Sequence, residues 1–133
     1  MSSSTPELLA KPAPAEHPIC DFIKERWSPR AYAADRPVPP EVLAQLFEAA
    51  RWAPSSSNEQ PWSFIVGVKG TETWTKLFDT LVPGNQVWTK NAPVLVLGLA
   101  RKTFQKNGKP NWHALYDLGQ AVSMLLIQAT SLV

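Results

Sequence analysis

The sequence has little cysteine and little histidine. Cys20 is the only cysteine among 133 residues, which excludes an intramolecular disulfide framework and a cysteine-based zinc site. The two histidines, His17 and His113, stand far apart, so we expect no cluster of metal ligands. Because a free thiol is typical of reducing compartments, we expect a cytoplasmic protein.

The sequence also lacks an excess of charge of one sign. The 13 basic and 11 acidic residues leave a formal net charge of +2. The basic residues are scattered along the chain, and this distribution does not indicate a nucleic-acid partner. Any anionic ligand is therefore expected to be bound by a few well-placed cations.

Long uninterrupted apolar runs are missing as well. The first 16 residues contain proline, lysine and glutamate, and no apolar segment of the length that a signal peptide needs. Residues 114–132 are largely apolar, but a membrane span needs roughly 20 predominantly apolar residues. Four polar residues interrupt this run: Asp117, Gln120, Ser123 and Gln128. We therefore predict no membrane helix.

The apolar material that is present suffices for one packed domain. Hydrophobic residues make up 44% of the sequence, with six tryptophans and five phenylalanines, a composition that a disordered chain would not have. Residues 1–15 are rich in serine, proline and alanine and are predicted to form a disordered tail. Residues 16–133 form the predicted domain.

Apolar residues at helical spacing predict four helices. The first is short, carries Ile19, Phe22 and Ile23 on one face, and ends before the proline that follows Ser28. The second begins near Pro40, a residue suited to a first helical turn, and ends before the next proline after its apolar stripe.

The third and fourth helices lie in the second half of the chain. Thr71 is a suitable N-cap for the third helix, and the fourth covers residues 114–132. The fourth is apolar on nearly every side, so it needs cover from a partner subunit or from additional chain. Pro83, Gly84 and Asn85, which lie between these helices, are predicted to form a turn.

Two segments have the pattern of β-strands. Residues 62–68 carry apolar residues at alternate positions. Residues 93–100 are continuously apolar, as expected of a strand covered on both faces. Because two strands alone make a marginal sheet, we expect a partner subunit and additional chain to complete the structure.

Three segments contain polar residues that a core does not explain. In the first, Arg26, Ser28 and Arg30 alternate along an extended stretch and share one face. Two guanidinium groups and a hydroxyl on one face suit a phosphate and nearby carbonyl oxygens. The second segment, residues 54–62, is a stiff polar loop that suits the edge of a planar heterocycle. The third contains Asn85.

Each segment also has a plainer interpretation. The arginines could belong to a solvated helix end, where they complement the helix dipole. The polar loop could be an ordinary connection, and Asn85 could be a turn residue. Trp112, His113 and Tyr116 could form the lip of an aromatic pocket or the packed start of a helix. Spacing alone leaves these alternatives open.

Together the polar segments resemble the N-terminal signature of the nitroreductase family. The resemblance rests on RWSPRAYAADRPVPPEVLAQLFEAARWAPSSSNEQPWSFIVG, followed by PGNQVWTKNAPVLVLGL and YDLGQAVSMLLIQATSL. It covers residues 18–133. It implies an α+β fold with a mixed sheet flanked by helices, and an intertwined homodimer with two FMN sites at the subunit interface.

The resemblance also implies roles for individual residues. Arg26 and Ser28 would contact the FMN phosphate and ribityl chain. Arg30 would lie near the pyrimidine carbonyls, and Asn85 would hydrogen-bond the pyrimidine edge. Residues 54–58 would reach the flavin from the other subunit. The expected cofactor-binding residues are Arg26, Ser28, Arg30, Pro54, Ser55, Ser56, Ser57, Asn58, Gln60 and Asn85.

The activity implied by the resemblance is that of an FMN-dependent oxidoreductase. Hydride would pass from NAD(P)H through the flavin to an electron-poor acceptor such as a nitroaromatic or a quinone, in a ping-pong scheme. Because the flavin would perform the chemistry, no side chain is expected to act as a nucleophile or general base. A fixed cation such as Arg30 would stabilise negative charge on the reduced pyrimidine ring.

Two features depart from the family pattern. Trp88 stands where many relatives carry lysine, with Lys90 nearby but out of register, and the family's C-terminal third is missing from the sequence. Two alternatives therefore stay open. One is an inert fragment that retains at most flavin binding or dimerisation. The other is a flavoprotein of the same fold with a different reaction, such as reductive dehalogenation.

Overall fold

The computed structural model describes residues 10–133, and residues 1–9 of the predicted tail lie outside the described residues. The elements in chain order are α1 (Asp21–Glu25), α2 (Pro40–Arg51), β1 (Trp62–Val68), α3 (Glu72–Asp79), α4 (Pro83–Thr89), β2 (Val94–Ala100) and α5 (Ala114–Ser131). A single 3₁₀ turn, Ser56–Asn58, lies between α2 and β1.

The sheet consists of β1 and β2, which pair in antiparallel orientation. Trp62 lies opposite Ala100, and Val68 lies opposite Val94. The two strands predicted from the sequence are therefore confirmed. The described part of the chain, residues 10–133, contributes this antiparallel pair to the sheet, so the parallel strand that a mixed sheet requires is not among these residues.

Helices α2 and α5 pack together on one face of the sheet. Ala50 of α2 and Ala121 of α5 are buried at 1% and 0% exposure, and the aromatic residues of β1 pack against this alanine contact. Phe47 and Phe64 meet with their ring centroids 5.3 Å apart. Small side chains let the two helix backbones approach closely, and each partly buried ring contributes a fraction of the roughly 1.5–3 kcal/mol that complete burial would give.

Helix α3 packs on the opposite face of the sheet. Trp74 is buried, and its Nε1–H donates to the Ala92 carbonyl oxygen at 3.0 Å. Gly67 faces α3, because a Cβ at this position would lie 2.7 Å from the Cα of Trp74. The predicted N-cap is confirmed, since the hydroxyl oxygen of Thr71 accepts from the Trp74 N–H at 3.3 Å.

The turn predicted at Pro83, Gly84 and Asn85 is wrong, because these residues begin helix α4. Proline fits the first helical turn, where its missing N–H breaks no helical hydrogen bond. Helix α4 is also hydrogen-bonded to α3, since Nε2 of Gln86 donates to the Phe78 carbonyl oxygen at 3.2 Å. Tertiary contacts thus override a local sequence that is typical of turns.

Strand β2 is not covered on both faces by residues 10–133, contrary to the prediction. Val96, Leu97 and Leu99 retain 43%, 44% and 43% exposure. One cause is the length of α3, which has eight residues and cannot span the sheet face. Helix α5 also leaves apolar surface uncovered, including Leu115 and Tyr116. Among the helices of residues 10–133, none has the length and apolar character that crossing a membrane requires.

The close approach of α3 to the sheet predicts that Gly67→Ala lowers the free energy of unfolding. We expect a loss of about 1–3 kcal/mol, because the added methyl group must displace the backbone of α3. Gly119→Ala in α5 is the matched control, since a Cβ there meets nothing within 4 Å. It should stabilise the helix by about 0.5–1 kcal/mol. Urea unfolding of both variants measures the difference, and equal stabilities would contradict the packing described here.

Candidate functional site

The two arginines and the serine that alternate after α1 form an extended strip, residues 26–30. Arg26 is the C-cap of α1 with extended backbone angles, φ −67° and ψ 127°. Its Nη1–H donates to the Ser28 hydroxyl oxygen at 3.3 Å. Ser28 and Arg30 are exposed, whereas Trp27 and the following proline are partly buried. Arg26 is partly buried as well, so exposed and partly buried side chains alternate from Trp27 to Arg30 but not at Arg26.

Asn85 lies in the first turn of α4 and is exposed. Its backbone N–H donates to the Val82 carbonyl oxygen at 2.9 Å. Trp88 follows three residues later, so the two side chains lie on the same side of the helix. This helical setting differs from the predicted turn, but it leaves the amide of Asn85 facing solvent at the beginning of a helix.

An aromatic contact holds the strip beside α4. The rings of Tyr32 and Trp88 stack with centroids 6.1 Å apart and an angle of 29° between their planes. Burial raises the pKa of the Tyr32 hydroxyl above its ordinary value. Because Tyr32 follows Arg30 by two residues, and Trp88 follows Asn85 by one helical turn, the stack brings the neighbourhoods of Arg30 and Asn85 together. Trp88 therefore has a packing role in this chain.

The polar loop after α2, residues 54–60, has an unusual backbone, and we call it the serine loop. Ser57, Asn58 and Gln60 have φ angles of 54°, 51° and 48°, in the left-handed region that side chains disfavour. Internal hydrogen bonds support this shape. The Gln60 N–H donates to the Ser55 hydroxyl oxygen at 3.0 Å, and Gln60 Nε2 donates to Asn58 Oδ1 at 2.8 Å.

A carboxylate from α5 holds the beginning of the serine loop. Asp117 is 2% exposed, and its Oδ2 accepts from the Ser56 N–H at 3.0 Å. The sequence analysis noted Asp117 only as an interruption of an apolar helix. The available signal was that interruption itself, because a lone acidic residue near the start of an otherwise apolar helix requires a partner when it is buried.

A second carboxylate holds the end of the serine loop. Glu59 Oε1 accepts from Arg101 Nη2 at 2.7 Å and from the Gln105 N–H at 2.6 Å. The Gln105 N–H, and secondly the Arg101 guanidinium, hold the pKa of Glu59 below its ordinary value. No local pattern indicates this contact, because the loop after β2 approaches Glu59 only in the folded chain.

The predicted site residues fall into two groups in the structure. The first contains the strip and α4, which are linked through the stack of Tyr32, two residues after the strip, on Trp88. The second is the serine loop, held by Asp117 and Glu59. Within residues 10–133, no hydrogen bond or ion pair joins the serine loop to the strip. Trp112 and Tyr116, at the start of α5, are 88% and 71% exposed, so they are not part of the packed core of this chain.

Each group suits a particular chemistry. Guanidinium groups with a neighbouring hydroxyl suit phosphate and carbonyl oxygens. An exposed asparagine amide can both donate and accept, as the edge of a planar heterocycle requires. The serine loop offers hydroxyl groups on a backbone that is fixed at both ends. These polar groups have the chemistry that an anionic, planar ligand requires, in two separate parts of the chain.

Comparisons with known proteins are consistent with this chemistry. Residues 23–81 match the model of the nitroreductase family. A protein of Methanothermobacter thermautotrophicus, whose name includes "NAD(P)H nitroreductase", is 35% identical over 88 residues, which are 66% of this chain and 44% of that protein. The chain thus spans less than half the length of this relative.

Solved structures share the fold. A structure described as an oxidoreductase containing FMN is 38% identical, with a TM-score of 0.83, and the match covers 90% of this chain and 62% of that one. An FMN-dependent nitroreductase from Clostridium difficile R20291 is 34% identical, with a TM-score of 0.68, over 84% of this chain and 60% of that one. The α+β fold expected from the sequence resemblance is confirmed.

The lowered pKa of Glu59 predicts how its contribution to stability depends on pH. A carboxyl whose folded-state pKa is depressed stabilises the fold above its unfolded pKa, and this stabilisation is lost as the pH falls through the folded value. The wild type should therefore exceed Glu59→Gln in free energy of unfolding at neutral pH. The difference should shrink as the pH is lowered below the ordinary value of 4.5.

Urea unfolding between about pH 7 and pH 3 measures this difference. Arg101→Gln is the control, because it leaves the Gln105 N–H, the larger cause of the shift, in place. This variant should keep a smaller pH dependence than the wild type, because Arg101 lowers the pKa of Glu59 through its hydrogen bond and its charge and the Gln105 N–H remains. A stability difference between wild type and Glu59→Gln that stays constant across the range would contradict the prediction.

Proposed function

We propose that the chain belongs to the nitroreductase family and contributes the flavin site of an FMN-dependent oxidoreductase that transfers hydride from NAD(P)H to an electron-poor acceptor. The observation that carries the proposal is the strip, where the Arg26 guanidinium donates to the Ser28 hydroxyl, together with the stack of nearby Tyr32 on Trp88 of the helix that carries Asn85. The FMN in the descriptions of the similar solved structures supports it, as does the NAD(P)H in the name of the Methanothermobacter relative.

The strip fits the phosphate end of FMN. The Arg26 guanidinium and the Ser28 hydroxyl lie 3.3 Å apart at Nη1 and Oγ, so one phosphate or ribityl oxygen can reach both. Each hydrogen bond from the arginine to a phosphate oxygen is charge-assisted and stronger than a neutral one. Trp27, between them, is fixed by a cation–π contact with Lys11, whose Nζ lies 4.7 Å from the ring centroid.

Arg30 and Asn85 fit the pyrimidine end of the flavin. Arg30 supplies a permanent positive charge for the carbonyl oxygens, and the amide of Asn85 supplies a donor and an acceptor for the ring edge. The Tyr32–Trp88 stack keeps their backbones in a fixed relation. Trp88, which stands where many relatives carry lysine, is uncharged and stacks on Tyr32. Arg30 is therefore the cation that we propose for the pyrimidine ring in this chain.

The serine loop completes the site from a second copy of the chain. Two observations support this arrangement. The loop makes no hydrogen bond to the strip of its own chain within residues 10–133, and α5 exposes apolar residues that a partner would cover. These include Leu115, Tyr116, Met124 and Leu126, which are 61%, 71%, 43% and 42% exposed. We therefore propose a homodimer with the flavin sites between subunits.

When bound, FMN supplies the hydride chemistry. The residues of the chain bind it, orient it and surround it with charge. Arg30 would favour negative charge on the pyrimidine ring, and the serine loop of the partner would contribute polar groups to the same site. NAD(P)H and an electron-poor acceptor such as a nitroaromatic or quinone are the proposed substrates. Cys20 is free, which supports a reducing compartment, the cytoplasm.

The proposal predicts that Arg26→Ala weakens FMN binding. Loss of a charged hydrogen bond to phosphate costs about 1.5–3 kcal/mol, which corresponds to a Kd that is roughly 10- to 150-fold higher. Arg36→Ala is the matched control, because Arg36 lies in the exposed linker before α2. The measurement is an FMN titration, followed by NADPH oxidation with a nitroaromatic acceptor. Equal FMN affinities of the two variants would show that Arg26 does not bind the phosphate.

A further inference from the structure

Asp117 is a buried carboxylate with few partners. It is 2% exposed, and its two oxygens accept from the Ser56 N–H at 3.0 Å and from Gln120 Nε2 at 3.2 Å. No arginine, lysine or histidine within residues 10–133 forms an ion pair with it. Burial of a carboxylate without a counter-ion is costly, so a contribution of Asp117 to structure or function must offset this cost.

The position of Asp117 on α5 offsets part of the cost of burying its charge. It lies in the first turn of the helix, where the helix dipole favours negative charge. It also shares the helix face of Ala114 and Ala121, which are both buried. The same face that packs against α2 thus carries the carboxylate to the serine loop, which begins just after α2.

The serine loop has support from outside itself in addition to its internal hydrogen bonds. Ser57 and Asn58 both have left-handed backbone angles, and such residues persist only when the surrounding structure holds them. The two carboxylate contacts fall on either side of this pair. Asp117 holds the Ser56 N–H, and Glu59 is held by the loop after β2. Between these anchors, Ser57 and Asn58 are both exposed.

We infer that Asp117 is a positioning residue that fixes the serine loop in its ligand-binding shape. By holding the Ser56 N–H, it sets the direction in which Ser57 and Asn58 present their polar groups to the flavin of the partner subunit. This inference rests on the proposed function, because the ligand is the proposed FMN. It adds a residue of α5 that does not itself touch the ligand.

Three substitutions separate the hydrogen bond from other effects. Asp117→Leu removes the acceptor. Asp117→Asn keeps an acceptor oxygen, and Gln120 can turn its own amide to match, so this variant should rescue the loop. Ser56→Pro removes the donor from the loop side. Ser55, which precedes it, is extended at φ −150° and ψ 154°, as a residue before proline must be.

Two measurements are made on the full chain. The first is amide hydrogen exchange without ligand, which should be faster at Ser56 in Asp117→Leu and near wild-type in Asp117→Asn. The second is an FMN titration. Asp117→Leu and Ser56→Pro should each raise the Kd about tenfold or more, equivalent to about 1.4 kcal/mol. Asp79→Leu, which replaces an exposed carboxylate at the end of α3, should leave both measurements unchanged.

The outcomes distinguish this inference from the proposed function. Unchanged exchange at Ser56 in Asp117→Leu would show that Asp117 does not hold the loop. Faster exchange with an unchanged Kd for FMN would show that holding the loop does not position it for the ligand. If Asp117→Leu does not fold, the Kd of Ser56→Pro decides by comparison with Ser56→Ala, which loses the same hydroxyl but keeps the N–H that Asp117 holds. Failure of the wild type to bind FMN would overturn the proposed function and the ligand-directed role together, while exchange at Ser56 would still decide whether Asp117 holds the loop.

Discussion

The contact between α2 and α5 is the constraint on which the rest of the structure depends. Ala50, Ala53 and Ala121 are almost completely buried where the helices meet. Larger side chains at these positions would force the helix backbones apart, because close-packed interiors do not absorb extra methylene groups. The contact fixes the height of α5 over the sheet. It therefore also fixes the distance between Asp117, one turn before Ala121, and the loop that follows α2.

The same constraint explains why the polar segments do not collapse into ordinary connections. The serine loop follows α2 and is hydrogen-bonded to α5 through Asp117. The two packed helices therefore support its residues with left-handed backbone angles. The strip after α1 is supported by a different contact, the nearby stack of Tyr32 on Trp88. Each half of the proposed site is thus stiff within one chain. Stiffness matters because a site that is formed before binding does not spend binding energy on ordering itself.

Local patterns in the sequence predicted the elements whose residues act through near neighbours. The apolar stripe of α2, the cap at Thr71 and the alternation in β1 all depend on contacts within one turn or one strand, and all are confirmed. Helix α4 was missed because its proline, glycine and asparagine favour a turn locally, and distant contacts decide its shape. Asp117 was missed for a related reason, since its partner Ser56 lies 61 residues away and no periodicity connects the two.

The most direct test of the central claim, that one FMN site takes the strip from one copy and the serine loop from another, is complementation in mixed dimers. One chain would carry Arg26→Ala, and the other would carry alanines at residues 55–58. Neither should bind FMN well alone. Unfolded and refolded together, they should regain tight binding, because each mixed dimer contains one intact strip facing one intact loop. A mixture that binds no better than its separate components would contradict the account.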